Sequence, residues 1–166
     1  MAHIVKFVVP KGTIEEATLK ILEEAWQKIS GRARTYRIKL SDPEIEVKLL
    51  RPQEIPTYVQ EGLYDVGITG RDWIKEANAD VKILLDLEYG RVKQVIAIPE
   101  SFQFNTLDEM IIDHVRREKP LRISAEYLTT TANYIKSKIA YQKYFGNSNP
   151  MIITPWLRVG DNKNVQ

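Results

Sequence analysis

Apolar residues change their period from one stretch of this chain to the next, and each period names an element. Ile4–Val9 is a nearly continuous β-prone run, as expected of a strand buried on both faces. Pro10-Lys11-Gly12 breaks it. Thr13, with Glu16 three residues on, makes a capping box. Behind it Ile14, Ala17, Ile21, Leu22, Ala25 and Ile29 form one helical face, stopped by Ser30-Gly31. Asp42-Pro43 signals a turn, and Ile45, Val47 and Leu49 then alternate as in a strand. Pro52 can open a helix carrying Ile55, Val59 and Leu63, with Gly62 placed for its C-terminal stop. Asp65–Thr69 reads as a short buried strand, Gly70 as its turn, and Asp72–Ala79 as a short helix opened by Arg71-Asp72.

Val81–Leu87 and Val92–Ile98 both read as strands, parted by Tyr89-Gly90. Thr106–Arg117 reads as a helix with Leu107, Met110, Ile111 and Val115 on one face. A strand at Leu121–Ala125, a helix from Thr129 to about Tyr144 and a strand at Met151–Thr154 complete the pattern. Strands alternating with helices predict an α/β fold with mostly parallel strands. The direct strand-to-strand step at Leu87–Val92 interrupts that alternation. It predicts a crossover between two lobes, residues 1–91 and 92–166.

Composition narrows the partners. Lys and Arg number 24 against 22 Asp and Glu, a balance that gives no argument for nucleic acid as a partner. No apolar run approaches the roughly 18 residues of a membrane span. The N-terminus lacks the apolar core of a signal peptide, so the expected location is cytoplasmic. With no cysteine, thiol catalysis, disulfides and thiolate metal sites are excluded. Neither a dinucleotide fingerprint nor a P-loop is present.

Three strand-to-helix turns carry the candidate chemistry: Lys11-Gly12, Arg51, and Thr69-Gly70-Arg71-Asp72. In open parallel sheets ligands collect at the C-terminal strand ends, where such turns lie. Glycine backbone N–H groups beside Lys and Arg suit an anion, and phosphate is the natural one. Asp72 suits a hydroxyl, an amino group or a magnesium-bound water. Lys11 taken alone reads equally well as a solvated lysine, Thr13 as a helix cap, and Arg34 as one of several surface arginines. The residues themselves thus reach a two-lobed α/β protein for an anionic small molecule. They do not choose between an enzyme and a binding protein.

Five pieces in order then resemble a known family: VPKG before a helix, RTY, LRPQEIPTYVQEG, YDVGITGRD and LLDLEYG. Together they look like the N-terminal half of ATP phosphoribosyltransferase, the first enzyme of histidine biosynthesis. RISAEYLTTTANY resembles the start of that family's second domain. The resemblance implies a type II periplasmic-binding-protein-like architecture of two α/β lobes. It implies a reaction joining N1 of the ATP adenine to C1 of phosphoribosyl pyrophosphate, with Mg²⁺ accompanying the substrates. It also implies a homo-oligomer built from dimers. By resemblance, Lys11, Gly12, Arg34, Arg51, Thr69, Gly70 and Asp72 line the first lobe's share of the substrate site. Glu126, Tyr127 and Thr131 belong to the second lobe's share.

Two departures stand out. Many members have Arg after the Lys-Gly pair, where this chain has Thr13. The family's E-[ST]-G-x-T loop, which cradles the ribose 5-phosphate, does not occur in these 166 residues. The expectation is therefore a second lobe truncated before that loop, and a polypeptide nearly inactive by itself. A non-catalytic relative, or a small-anion binding protein of the same fold, is the alternative.

Overall fold

The computed structural model describes residues 4–26 and 37–154. The chain falls into two compact units, Met1–Lys93 and Gln94–Gln166.

The first unit is built on β1 (Val5–Pro10), with β3 (Ile45–Leu50) and β4 (Val66–Gly67) parallel to it on either side. A three-residue strand, β2 (Arg37–Lys39), adds to β3 in the antiparallel sense and gives the order β2-β3-β1-β4. The central position of β1 explains its apolar run Phe7–Val9. Phe7 and Val9 face one side, against Leu19 and Leu22 of α1 (Glu15–Trp26). Val8 faces the other, toward α2 (Ile55–Gln60). Both sides being covered, Val8, Val9, Val47 and Ile55 are wholly buried. α3 (Arg71–Ala77) follows β4 directly.

The buried face of α1 is rotated from the one expected. Thr18, Leu19 and Leu22 are buried, whereas Ala17 and Ala25 are exposed. A polar residue can sit on this face because its hydroxyl is used: Thr18 Oγ1 donates to the Ile14 carbonyl (2.8 Å) and meets the Tyr89 hydroxyl. Burial pushes the Tyr89 hydroxyl pKa above its usual value, with the Thr18 bond opposing it. The capping box is also displaced by one residue. Glu15, not Glu16, accepts from the turn, taking the Gly12 N–H at 3.1 Å, while Glu16 pairs with Lys20. Likewise Pro52 lies in a turn and α2 begins at Ile55, with Pro56 in its first turn. Gly62 does stop that helix. Its φ is 70°, and Leu63 N–H returns to the Tyr58 carbonyl as in a Schellman motif.

In the second unit, α4 (Leu107–Arg116), α5 (Leu128–Lys136) and α6 (Ile139–Phe145) pack around Ile111, Ile135, Ala140 and Tyr141. They accompany a parallel pair, β5 (Ile123–Ser124) and β6 (Ile152–Ile153). Thr106 caps α4 by accepting from Glu109 N–H, and Glu109 accepts in turn from Asn105 N–H. The single helix expected from Thr129 to Tyr144 is two helices. Ser137 turns back on Tyr134, and the first turn of α6 is capped from outside by Asp108, whose Oδ1 accepts from Ala140 N–H at 2.7 Å. Asp108→Ala removes that acceptor and is expected to cost about 0.5–2 kcal/mol, as for other lost caps. Chemical denaturation measures this. An unchanged midpoint would show that Ser137 alone makes the break.

The strands expected at Val81–Leu87 and Val92–Ile98 do not form among the described residues. A strand needs a neighbour for its backbone N–H and C=O groups, and among the described residues neither segment pairs with one. Both remain largely exposed.

Candidate functional site

The three turns singled out in the sequence emerge at one edge of the first unit's sheet. Pro10 is the register partner of Leu50, and Lys11 N–H donates to the Leu50 carbonyl at 2.7 Å. The next residues of the two strands, Lys11 and Arg51, are therefore neighbours in the sheet direction. On the other side Ile68 N–H donates to the Val8 carbonyl at 2.9 Å, which brings Thr69 and Gly70 to the same edge. Parallel pairing of β1, β3 and β4 makes this inevitable, because all three strands end in the same direction.

Each turn has its own construction. Gly12 adopts φ 102°, a conformation that a side chain strains, and its N–H is held by the Glu15 carboxylate. The Arg51 carbonyl accepts from Glu54 N–H, but the Arg51 guanidinium is exposed and makes no ion pair among the described residues. Thr69 Oγ1 donates to the Pro52 carbonyl at 2.8 Å, clasping the β4 turn to the β3 turn. Gly70 begins α3 with extended backbone, and a Cβ there would overlap the Asp72 carboxylate. Arg71 is turned to Asp86, 3.2 Å away. Carboxylates thus occupy the Gly12 N–H and the space over Gly70 that the sequence reading left to an anion, and suit a hydroxyl or an amino group, while the exposed Lys11 and Arg51 remain the cations at this edge. Arg34 lies outside the described residues.

In the second unit Glu126 and Tyr127 follow β5, whose continuation is fixed by Ala125 N–H donating to the Ile153 carbonyl at 3.0 Å. Tyr127 caps α5, and its carbonyl accepts from Thr131 N–H at 3.0 Å. Glu126 is exposed; Tyr127 and Thr131 are half-buried. The three are thus neighbours at one strand end, the same kind of position that the first unit uses. A cleft of about 530 Å³ elsewhere in this unit is lined by Phe102, Phe104, Asp113, His114, Arg117 and Lys119, with none of the residues singled out in the sequence.

Two residues engage these turns without having been singled out by spacing. Glu15 takes the Gly12 N–H, and Asp86 takes Arg71. A carboxylate three residues after the glycine was the available signal for Glu15. Asp86 gave none, since its contact is set by tertiary structure.

Residues 51–150 match the family model described as HisG, ATP phosphoribosyltransferase. The chain belongs to this family. The ATP phosphoribosyltransferase of Thermodesulfovibrio yellowstonii is 36% identical over 160 residues, covering 93% of this chain and 52% of that protein. The Solibacter usitatus enzyme of the same name is 34% identical over 148 residues, covering 83% and 48%. The chain therefore spans about half the length of the curated relatives it matches. A solved ATP phosphoribosyl transferase (HisG:HisZ) complex from Thermotoga maritima superposes with a TM-score of 0.58 at 19% identity, covering 91% of this chain and 63% of that one, so the α/β fold is shared. The ATP phosphoribosyltransferase model begins at Arg51 and takes in Thr69, Gly70, Asp72, Glu126, Tyr127 and Thr131, whereas Lys11, Gly12 and Arg34 precede it. No helix among the described residues is long and apolar enough to cross a membrane.

Proposed function

We propose that this chain carries substrate-binding strand ends of an ATP phosphoribosyltransferase. The reaction is the first of histidine biosynthesis, in which N1 of the ATP adenine displaces pyrophosphate from C1 of phosphoribosyl pyrophosphate. The observation that carries this reading is the convergence of Lys11, Arg51 and Thr69–Asp72 on one edge of a parallel sheet, in a member of this family.

Displacement at an anomeric carbon needs held phosphates and a neutralised leaving group more than a protein nucleophile. Lys11 and Arg51 supply positive charge, with Arg51 offering two parallel donors. Asp72 takes a ribose hydroxyl, an amino group or a metal-bound water. Gly12 and Gly70 shape the turns that present these groups, with Glu15 on the Gly12 N–H and Asp72 over Gly70, and Glu126, Tyr127 and Thr131 are the second unit's own substrate-binding residues. Mg²⁺ characteristically binds one or two carboxylates together with substrate phosphates, so it arrives with ATP and phosphoribosyl pyrophosphate, and Asp72 fits as its protein partner. The remaining parts of the reading are two lobes of the type II periplasmic-binding-protein kind, one per unit, a dimer-based homo-oligomer and a cytoplasmic location. The division of the chain into two compact units supports the first.

Calorimetric titration of the 166-residue chain tests the reading. Mg·ATP or phosphoribosyl pyrophosphate is expected to bind saturably. Turnover to phosphoribosyl-ATP by these residues alone is expected to fall short of an intact relative by on the order of 10²-fold or more, since small misplacements of reacting groups cost that much. Absence of binding by either substrate would remove the strand ends from the site. Turnover equal to an intact relative would overturn the need for further chain.

A further inference from the structure

The cleft of the second unit joins two kinds of surface that seldom meet. Helix α4 gives one stripe, Leu107, Ile111 and Val115, to the core around Ile135, Ala140 and Tyr141. Asp113 and Arg117 lie one turn apart on another stripe, with His114 beside them. A charged stripe of this kind ordinarily faces water. Here it lines one cleft with Phe102 and Phe104, whose rings meet edge to face with centres 6.0 Å apart. Neither ring joins the core, and Phe102 is 41% exposed. The cleft, of about 530 Å³, has the size of a small-molecule site.

Its polar groups are held in place with bonding capacity to spare. Arg117 Nε donates to Asp113 Oδ1 at 2.9 Å, which fixes the guanidinium and leaves both Nη groups without a partner among the described residues. His114 Nδ1 lies 2.9 Å from the Met110 carbonyl. A carbonyl only accepts, so Nδ1 carries the proton and Nε2 of the neutral ring remains an acceptor. Glu118 ends the helix at φ 51°, a left-handed position usually given to glycine, and Lys119 N–H returns to the His114 carbonyl at 2.9 Å. That turn brings Lys119 back beside His114, and its ammonium makes no ion pair among the described residues. Basic residues at a helix C-terminus offset the helix dipole, which accounts for the charge but not for two phenylalanines lining a cleft with it.

We propose that this cleft binds a small aromatic acid, with its carboxylate on the Arg117 Nη groups and Lys119 and its ring against Phe102 and Phe104. Two cations stand against one carboxylate that Arg117 already engages, so the cleft selects an anion. The remaining guanidinium donors suit the two oxygens of a carboxylate. An edge-to-face ring pair favours an aromatic body over an aliphatic one. The cleft shares no residue with Glu126, Tyr127 and Thr131, and the proposal does not rest on the reaction proposed above, so the two can fail separately.

NMR titration of the 166-residue chain with indole-3-acetate tests this, with indole-3-acetamide as the uncharged control. The acid is expected to bind with a dissociation constant of about 1 mM or tighter, the scale for a ligand of its size. It should shift the amide signals of residues 101–104 and 113–119, and the amide should bind at least roughly tenfold more weakly. Arg117→Gln with Lys119→Gln is expected to weaken binding of the acid by about tenfold or more. Lys119→Gln alone, at an exposed residue beyond the helix, should weaken it by about threefold and guards against a double variant that folds poorly. Phe102→Ala should weaken acid and amide alike, by about threefold. No saturable binding up to about 10 mM overturns the proposal, as do equal binding of acid and amide or shifts confined to residues outside the cleft. Unchanged affinity in both charge variants overturns it too, leaving the cations to the helix dipole alone. Displacement of the acid by phosphoribosyl pyrophosphate would overturn it as a separate site. Shifts at residues 101–104 on diluting the chain without ligand would assign the cleft to a second copy instead.

Discussion

Arg51→Lys is expected to weaken binding of Mg·ATP or phosphoribosyl pyrophosphate by about 1.5–3 kcal/mol, the range for hydrogen bonds to charged groups, or roughly ten- to a hundredfold in affinity. Lysine keeps the charge but loses the planar fork that meets two phosphate oxygens at once. The fold has little stake in this side chain. Arg51 is exposed, and among the described residues its guanidinium pairs with no carboxylate; its link to Glu54 is through backbone atoms only. The melting temperature should therefore stay within the small range of surface substitutions. Titration calorimetry with a melting curve separates the possibilities. Unchanged affinity with a lowered melting temperature would make Arg51 a structural residue and move the site elsewhere.

Gly67→Ala is expected to destabilise the first unit by about 1–3 kcal/mol, the usual penalty of overpacking. A Cβ at Gly67 would stand 2.7 Å from Ile55 Cγ2, 3.0 Å from Val8 Cγ1 and 3.1 Å from Val59 Cγ2. Ile55 and Val8 are wholly buried and have nowhere to retreat. The backbone gain of alanine over glycine in a strand, about 0.5–1 kcal/mol, opposes this cost without cancelling it. Relief has to come from α2 moving off the sheet, and α2 follows directly on the Arg51–Glu54 turn. A fall in melting temperature on the order of 10 °C is the expected reading for a unit of this size. Stability equal to the parent chain would show that the α2–β4 contact is looser than the distances state.

Much of the first unit was legible because its information is local. β1 is apolar at every position from Phe7 to Val9, and the structure buries it from both sides. Gly62 ends α2 through a positive φ that the residue type announces. The order of turns after β1, β3 and β4 was legible for the same reason, and parallel pairing does the rest. What escaped is what distant residues decide. β2 is three residues long with Ile38 alone buried, too little to stand out in a basic stretch. The break between α5 and α6 depends on Asp108, which is 32 residues before the N–H that it caps. The buried Thr18 on the rotated face of α1 meets Tyr89 across 71 residues. Val81–Leu87 has the composition of a strand, but composition cannot supply the neighbour that makes it one.

The clasp between Thr69 and Pro52 has an entropic side. The turns bearing Arg51 and Gly70 come from different strands, yet one hydroxyl–carbonyl bond removes their freedom to part. Fixing a residue's backbone costs about 1–2 kcal/mol, and at these turns part of that ordering is complete before a phosphate arrives. On the proposed reading, a ligand met by one turn finds the other already tied to it by that bond.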